Sequence, residues 1–138
     1  MKKISLLALF TVAAAISFTA HAADRVGDFT LIDDDGKAHQ LSKYAFNKAV
    51  VIVAQQAGCT DNQQNIARYK QLRTNWDHRG VSFLMLNSSV QDDRAGIRAE
   101  EAVWNYDFPI MDDETQLVAD AIGVTKAGEV VVRNLEEF

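Results

Sequence analysis

The chain has 138 residues and a formal net charge of −5. That length holds one ordinary domain rather than two, and an acidic chain without a basic stripe excludes nucleic acid as a partner. The only cysteine is Cys59, so no disulfide can close within the chain and any redox chemistry needs a second thiol from outside.

The first segment reads as a secretory signal peptide of bacterial type. Lys2 and Lys3 form a basic start, "ISLLALFTVAAAI" is a short apolar run, and Ala20, His21 and Ala22 fit a small-x-small cleavage site. The run is well short of the roughly 18–20 apolar residues that a membrane span requires. Cleavage after Ala22 leaves a domain over 23–138, about 116 residues with a moderate core, in the periplasm or outside the cell and with no membrane attachment.

From residue 28, "DFTLIDDDGKAHQLSKY" reads as a β-hairpin, with Phe29 and Leu31 alternating before a turn at which Gly36 supplies a positive φ. The acidic triplet is too closely spaced for a calcium loop. "AVVIVA" at 49–54 is a β-branched run without polar alternation, as expected of a strand covered on both faces. The period changes at Asp61: Ile66, Tyr69, Leu72 and Trp76 mark one face of a helix that ends near 78–80. "VSFLMLN" at 81–87 is a second buried strand, which completes a βαβ unit and implies a parallel sheet.

A further helix is expected over 94–106, with Ala95, Ala99, Ala102, Val103 and Tyr106 on one side. Asp113 and Gln116 form a capping pair for another, with Leu117, Val118 and Ala121 as its apolar face and Gly123 as its stop. "EVVVRN" at 129–134 is a last strand. The pattern is that of a small α/β domain in which Cys59 stands where a central strand ends and a helix starts. Open α/β sheets place their sites there, and the unpaired N–H groups of a helix start stabilise a thiolate. The Asp61 carboxylate opposes that effect.

The order "DFTLIDDDGKAHQLS", "KAVVIVAQQAGC", "RGVSFLMLNSS" and "FPIMDDETQLVADAIGVTKAGEVVV" resembles the thioredoxin-like redoxins of the alkyl hydroperoxide reductase and thiol-specific antioxidant group, over about Val26 to Val132. The resemblance implies a thioredoxin fold, a central mixed sheet flanked by helices with an N-terminal β-hairpin, and puts Cys59 at the position of the family's nucleophilic cysteine. "GCT" at 58–60, which includes Thr60, looks like the stretch around the peroxidatic cysteine of some peroxiredoxins.

Several residues depart from the family's pattern. Cys59, Thr60, Asp61 and Asn62 carry no second thiol where a dithiol reductase has its resolving cysteine. The family places a Thr or Ser three residues before the cysteine and a Pro seven before it; this chain has Gln56 and Ile52. A glutamine amide retains the ability to donate a hydrogen bond to a peroxide oxygen. The family's Thr-Pro-Glu loop falls on Ala127, Gly128 and Glu129, so Gly128 replaces the proline that faces the active cysteine, and a trans loop of different shape is expected. Lys126 and Arg133 are near the place of the family's thiolate-stabilising arginine but do not match it, and are read as solvated surface charges.

The family also continues with another strand and a closing helix, which this chain lacks after 129–134, so an uncovered sheet edge and an apolar face without its helix are expected, in a truncated or degenerate copy or in a chain completed by forming a homodimer. His39 and His78 are read as surface or strand residues, not as ligands. Trp76 and Trp104 are read as core. Asn87, Ser88 and Ser89 match a glycosylation acceptor, which the bacterial leader makes irrelevant in most settings.

The resulting expectation is an exported single-cysteine thiol oxidoreductase or peroxiredoxin-like antioxidant protein without cofactor or bound metal. Cys59 attacks, Gln56 and the N–H groups from Thr60 onward stabilise the leaving oxygen, Ala127 and Gly128 form the substrate loop, and an external thiol or a thiol/disulfide protein restores the cysteine. Two other readings stay open: a catalytically degenerate domain that binds a partner or a soft metal such as Cu(I), and a vestigial domain.

Overall fold

The structure is a computed structural model and describes residues 26–135. The leader read over 1–22 lies outside the described residues. Six strands, β1 (Thr30–Asp33), β2 (Ala38–Gln40), β3 (Ala49–Gln55), β4 (Val81–Asn87), β5 (Ile110–Asp112) and β6 (Val130–Asn134), form one sheet in the order β2-β1-β5-β4-β3-β6. Three helices accompany it: α1 (Thr60–Trp76), α2 (Arg94–Trp104) and α3 (Leu117–Ile122). Among the described residues no helix is long and apolar enough to cross a membrane.

The apolar runs of β3 and β4 occupy the centre and pair in parallel from Ala49 opposite Val81 to Gln55 opposite Asn87, with α1 as the crossover. β5 continues the parallel set beside β4, whereas β6 runs antiparallel to β3 and β1 antiparallel to both β2 and β5. The sheet is therefore mixed, and its C-terminal strand ends converge on the loop that carries Cys59. The described β6 forms one edge and β2 the other.

Alternation along the central strands produces two cores. Val50 and Ile52 of β3 join Leu84 and Leu86 of β4, Met111 and the Val118, Ala119 and Ile122 face of α3. On the opposite face Val53 and Met85 meet Tyr69 of α1, Ile97 of α2, and Tyr106 and Phe108. Enclosing a side chain such as Ile52 or Ile97 stabilises the fold by about 1.5–3 kcal/mol.

The hairpin forms as expected, with Gly36 at φ 83° in its turn. His39 is held inside it, with Nε2 2.7 Å from Asp33 Oδ2 and Nδ1 2.6 Å from the Tyr44 hydroxyl. Asp33 and His39 are both buried.

Several expectations are corrected. Helix α2 ends at Trp104, with Asn105 in the left-handed conformation, and it turns Ile97 inward at 0 % exposure while Val103 is 76 % exposed. Ala95, Ala99 and Ala102 also face outward. Alanine buries too little area to orient a helix, so one isoleucine decides which side faces the sheet. Trp76 and Trp104 are not core residues, at 44 % and 41 % exposure, and the Arg79 guanidinium lies 5.0 Å over the Trp76 ring. Leu72 is exposed as well, and α1 buries only Asn62 and Tyr69.

The start of α3 is organised by Asp113 alone, whose carboxylate accepts the Val118 and Ala119 N–H groups at 3.3 and 2.8 Å. Gln116 adopts φ 60° and donates to the Ser88 carbonyl instead, and Leu117 and Ala121 face solvent. Asn87 is fully buried and hydrogen-bonded to Gln55 and Asp92, so it presents no glycan acceptor.

Candidate active site

β3 ends in a turn that delivers Cys59 to the start of α1. The Cys59 N–H donates to the Gln56 carbonyl at 3.1 Å across Ala57 and Gly58, and Gly58 has φ 76°, a conformation that glycine adopts at no steric cost. Cys59 is the N-cap residue of α1, extended at φ −71° and ψ 109°, part-exposed and free. Its carbonyl accepts the Gln63 N–H at 3.1 Å and opens the helical ladder. The N–H groups of Thr60, Asp61 and Asn62 precede that first bond and have no intrahelical acceptor. They lie at the positive end of a 17-residue helix, beside the sulfur.

The turn is fastened from below by polar residues that carry no recognisable motif. Asn62, fully buried, donates to the Ala54 carbonyl at 3.0 Å and receives the Gln56 N–H at 3.4 Å. Asp92 Oδ2 accepts the Ala57 N–H at 2.8 Å and the Asn87 side-chain amide at 2.8 Å, and the same Asn87 amide reaches Gln55 Oε1 at 2.9 Å. Further out, Glu100 Oε1 accepts from Gln63 at 2.9 Å and from the Tyr106 hydroxyl at 3.1 Å. Burial, the Glu100 carboxylate and its hydrogen bond push the Tyr106 phenol far above its ordinary value, so it stays protonated and donates to Glu100. Burial, followed by the nearby Cys59 and Asp61 charges, raises Tyr69 too.

The fold also brings the 127–128 loop to this place. Gly128 donates to the Ala54 carbonyl at 2.8 Å, and Ala54 N–H donates to the Glu129 carbonyl at 2.8 Å. Gly128 has φ 86°, and a Cβ there would lie 3.4 Å from the Asp61 Cβ in the first turn of α1. The described peptide bonds are all trans. Glu129 braces the loop by accepting the Thr125 and Lys126 N–H groups at 2.7 and 3.3 Å, and these bonds, chiefly the Thr125 amide, hold its carboxyl below the usual range.

An open cleft of about 410 Å³ lies alongside. Gln56 and Ala127 contribute to its wall, with Ser88, Gln116 and Lys126 among its other polar residues, whereas Cys59, Thr60 and Gly128 do not line it. Thr60 is exposed at the first helical position. Lys126 is a surface cation at the cleft, but Arg133 is not: it is part-buried, and its guanidinium donates to the Ile122 carbonyl at 2.9 Å, at the C-terminal end of α3. His39 is committed to Asp33 and Tyr44, His78 is exposed at the far end of α1, and among the described residues no group of three or more His, Cys, Asp and Glu could hold a metal ion.

Comparison with known proteins agrees with this fold. The AhpC/TSA family model matches residues 22–135. No curated protein matches the chain. Among solved structures, a hypothetical protein from Sinorhizobium meliloti is similar with a TM-score of 0.72 at 20 % identity, covering 81 % of this chain and 64 % of that one. The chain thus spans less than two thirds of that relative's length. The thioredoxin domain of a thiol-disulfide oxidoreductase from Bacteroides vulgatus is similar at TM-score 0.69 and 11 % identity, covering 80 % and 79 % of the two chains. The peroxidoxin BcpB from Mycobacterium tuberculosis is similar at TM-score 0.62 and 19 % identity, covering 80 % and 83 %. These likenesses show a thioredoxin-like fold. The family match, which takes in all of the described residues and with them every part of the Cys59 site, shows that the chain belongs to the AhpC/TSA family.

Proposed function

We propose that the chain is an exported, single-cysteine thiol oxidoreductase of peroxiredoxin-like type, with Cys59 as the reacting thiol. The observation that supports this most is the position of Cys59: part-exposed, at the N-cap of α1, on a glycine turn at the carboxyl end of a central strand. There the N–H groups that follow the sulfur stabilise negative charge on it and on the oxygen that leaves when it attacks a peroxide.

In the proposed reaction the Cys59 thiolate attacks one oxygen of a hydroperoxide. An S–O bond forms, the O–O bond breaks, and the second oxygen leaves as water or an alcohol after taking a proton. The sulfur becomes a sulfenic acid. An external thiol then displaces water to give a mixed disulfide, and a second thiol frees Cys59 and departs as the external disulfide. Two thiols are oxidised for each peroxide reduced. Gln56, on the wall of the cleft beside the turn, supplies an amide donor on the substrate side, and Ala127 and Gly128 form the loop against which a thiol partner lies. Thr60 contributes its backbone N–H.

The partner is a thiol or a thiol/disulfide protein, a reading supported by structural neighbours described as thiol-disulfide oxidoreductases. Export rests on the leader read over 1–22, and one of those neighbours is described as secreted. Steady-state consumption of hydrogen peroxide with an added monothiol tests the proposal. Many equivalents consumed per protein, and none by Cys59→Ser, is the expected result; equal consumption by both proteins would overturn it.

A further inference from the structure

We infer that Asp92 is the positioning residue of the Cys59 turn, acting through hydrogen-bond geometry rather than through its charge. The inference rests on the proposed reactivity of Cys59 and adds a residue that no motif marks. Asp92 belongs to the loop between β4 and α2, 35 positions from Ala57, yet its Oδ2 accepts the Ala57 N–H at 2.8 Å. Ala57 is the second residue of the turn that the Cys59 N–H closes onto Gln56. The N–H of that position points away from the turn's own hydrogen bond and needs an acceptor elsewhere. Asp92 supplies it.

The acceptor is itself held in place. The Asn87 side-chain amide donates to the same Asp92 oxygen at 2.8 Å and to Gln55 Oε1 at 2.9 Å, while the Asn87 Oδ1 accepts the Ser89 N–H at 2.9 Å. Asn87 and Gln55 are opposite one another at the ends of β4 and β3 and are both buried. The clamp therefore runs from the two central strands through Asp92 to the peptide two residues before the sulfur. Without it the turn remains tied to Asn62 only through the 3.4 Å contact of the Gln56 N–H. Peroxide reduction depends on this because the sulfur must meet one oxygen of the peroxide while the N–H groups after it meet the leaving one, and a misplacement on the order of 1 Å costs about a hundredfold in such steps.

Geometry and charge make opposite predictions for two substitutions. Asp92→Asn keeps the shape and an acceptor oxygen but loses the charge. Asp92→Glu keeps the charge but moves the oxygens by a methylene. Cys59 oxidation by hydrogen peroxide is followed by intact mass in these variants and in Asp92→Ala, beside alkylation by iodoacetamide at a pH high enough to ionise the thiol fully, which needs an accessible thiolate but no donor for a leaving oxygen. We expect Asp92→Ala and Asp92→Glu to slow peroxide oxidation at least about tenfold with alkylation nearly unchanged, and Asp92→Asn to stay near the wild-type rate. Wild-type behaviour from Asp92→Glu with loss in Asp92→Asn, or no change in any variant, overturns the inference. If Asp92→Ala does not fold, the Asn and Glu variants decide alone. If the wild-type thiol reacts with peroxide no faster than free cysteine, the proposed function fails, and hydrogen exchange at the Ala57 amide then decides the clamp. Protection in the wild type and Asp92→Asn that is lost in Asp92→Glu supports it, and equal protection in all overturns it.

Discussion

The Asn62 side-chain amide donates to the Ala54 carbonyl at 3.0 Å, so the first turn of α1, after Cys59, is fastened to the end of β3, before it. Asn62 occupies the position of a dithiol reductase's second cysteine, three residues after Cys59. The structure gives that position a different task. It holds the backbone around one sulfur instead of resolving a disulfide.

Asn62→Ala is expected to lower stability by about 1–3 kcal/mol, because it removes a buried donor and leaves the Gln56 N–H without its acceptor. Urea denaturation with a constant m-value checks this. Asn62→Cys recreates the dithiol spacing and is expected to carry a similar loss, since a thiol is a weak donor. A neutral effect of either substitution contradicts the bracing role.

Gly128 stands where the family has a proline, and reversion is expected to fail. Proline fixes φ near −65°, whereas Gly128 has φ 86° and donates its N–H to Ala54 at 2.8 Å. Gly128→Pro should destabilise by about 3 kcal/mol or more. Gly128→Ala should cost about 1–2 kcal/mol from the left-handed conformation, since its Cβ would meet the Asp61 Cβ only at ordinary contact, 3.4 Å. Thermal unfolding of the two variants beside the wild type separates them, and a stabilised Gly128→Pro would show that the loop has another shape.

The orientation of α2 gives a direct packing test. Ile97→Ala should cost about 2–5 kcal/mol, whereas Val103→Ala, at a position 76 % exposed, should stay within about 0.5 kcal/mol. Equal costs at the two positions would mean that the helix presents another face to the sheet.

That helix also shows where the sequence is legible and where it is not. The β3-α1-β4 unit is readable because its two strands are unbroken apolar runs and Asp61 begins a new period. Three small alanines and Val103 suggest a stripe on α2, yet Ile97 buries more area than any of them and wins. β5 is only three residues long, Ile110–Asp112, too short to show a period. Cys59 and the approach of Gly128 are legible from the order of elements and the family's pattern. Asn62, Asn87 and Asp92 are not. Isolated polar residues look like surface until the fold supplies their partners, and the 35-residue separation of Asp92 from Ala57 leaves no local signal.

A pH dependence follows from the hairpin. Burial pushes the Asp33 carboxyl up, but hydrogen bonds from His39 and the Lys37 amide and the proximity of His39 outweigh it and hold Asp33 below the usual carboxylate range. A carboxyl lowered in the folded state contributes stability that is present above its unfolded value and lost as pH falls through its folded one. Asp33→Asn should therefore cost about 1–3 kcal/mol at neutral pH, and the difference from wild type should shrink below about pH 4. Denaturation at several pH values checks this. A difference that stays constant with pH would mean that the pair is not held by charge.

The most direct test of a working Cys59 is the mass of the intact protein after stoichiometric hydrogen peroxide at neutral pH. The expected result is one added oxygen at Cys59, formed at least about tenfold faster than on free cysteine, converted by a monothiol first to a mixed disulfide and then back to the starting mass, with no change in Cys59→Ser. Oxidation no faster than that of free cysteine, or an oxidised form that a thiol does not reverse, would contradict the assignment.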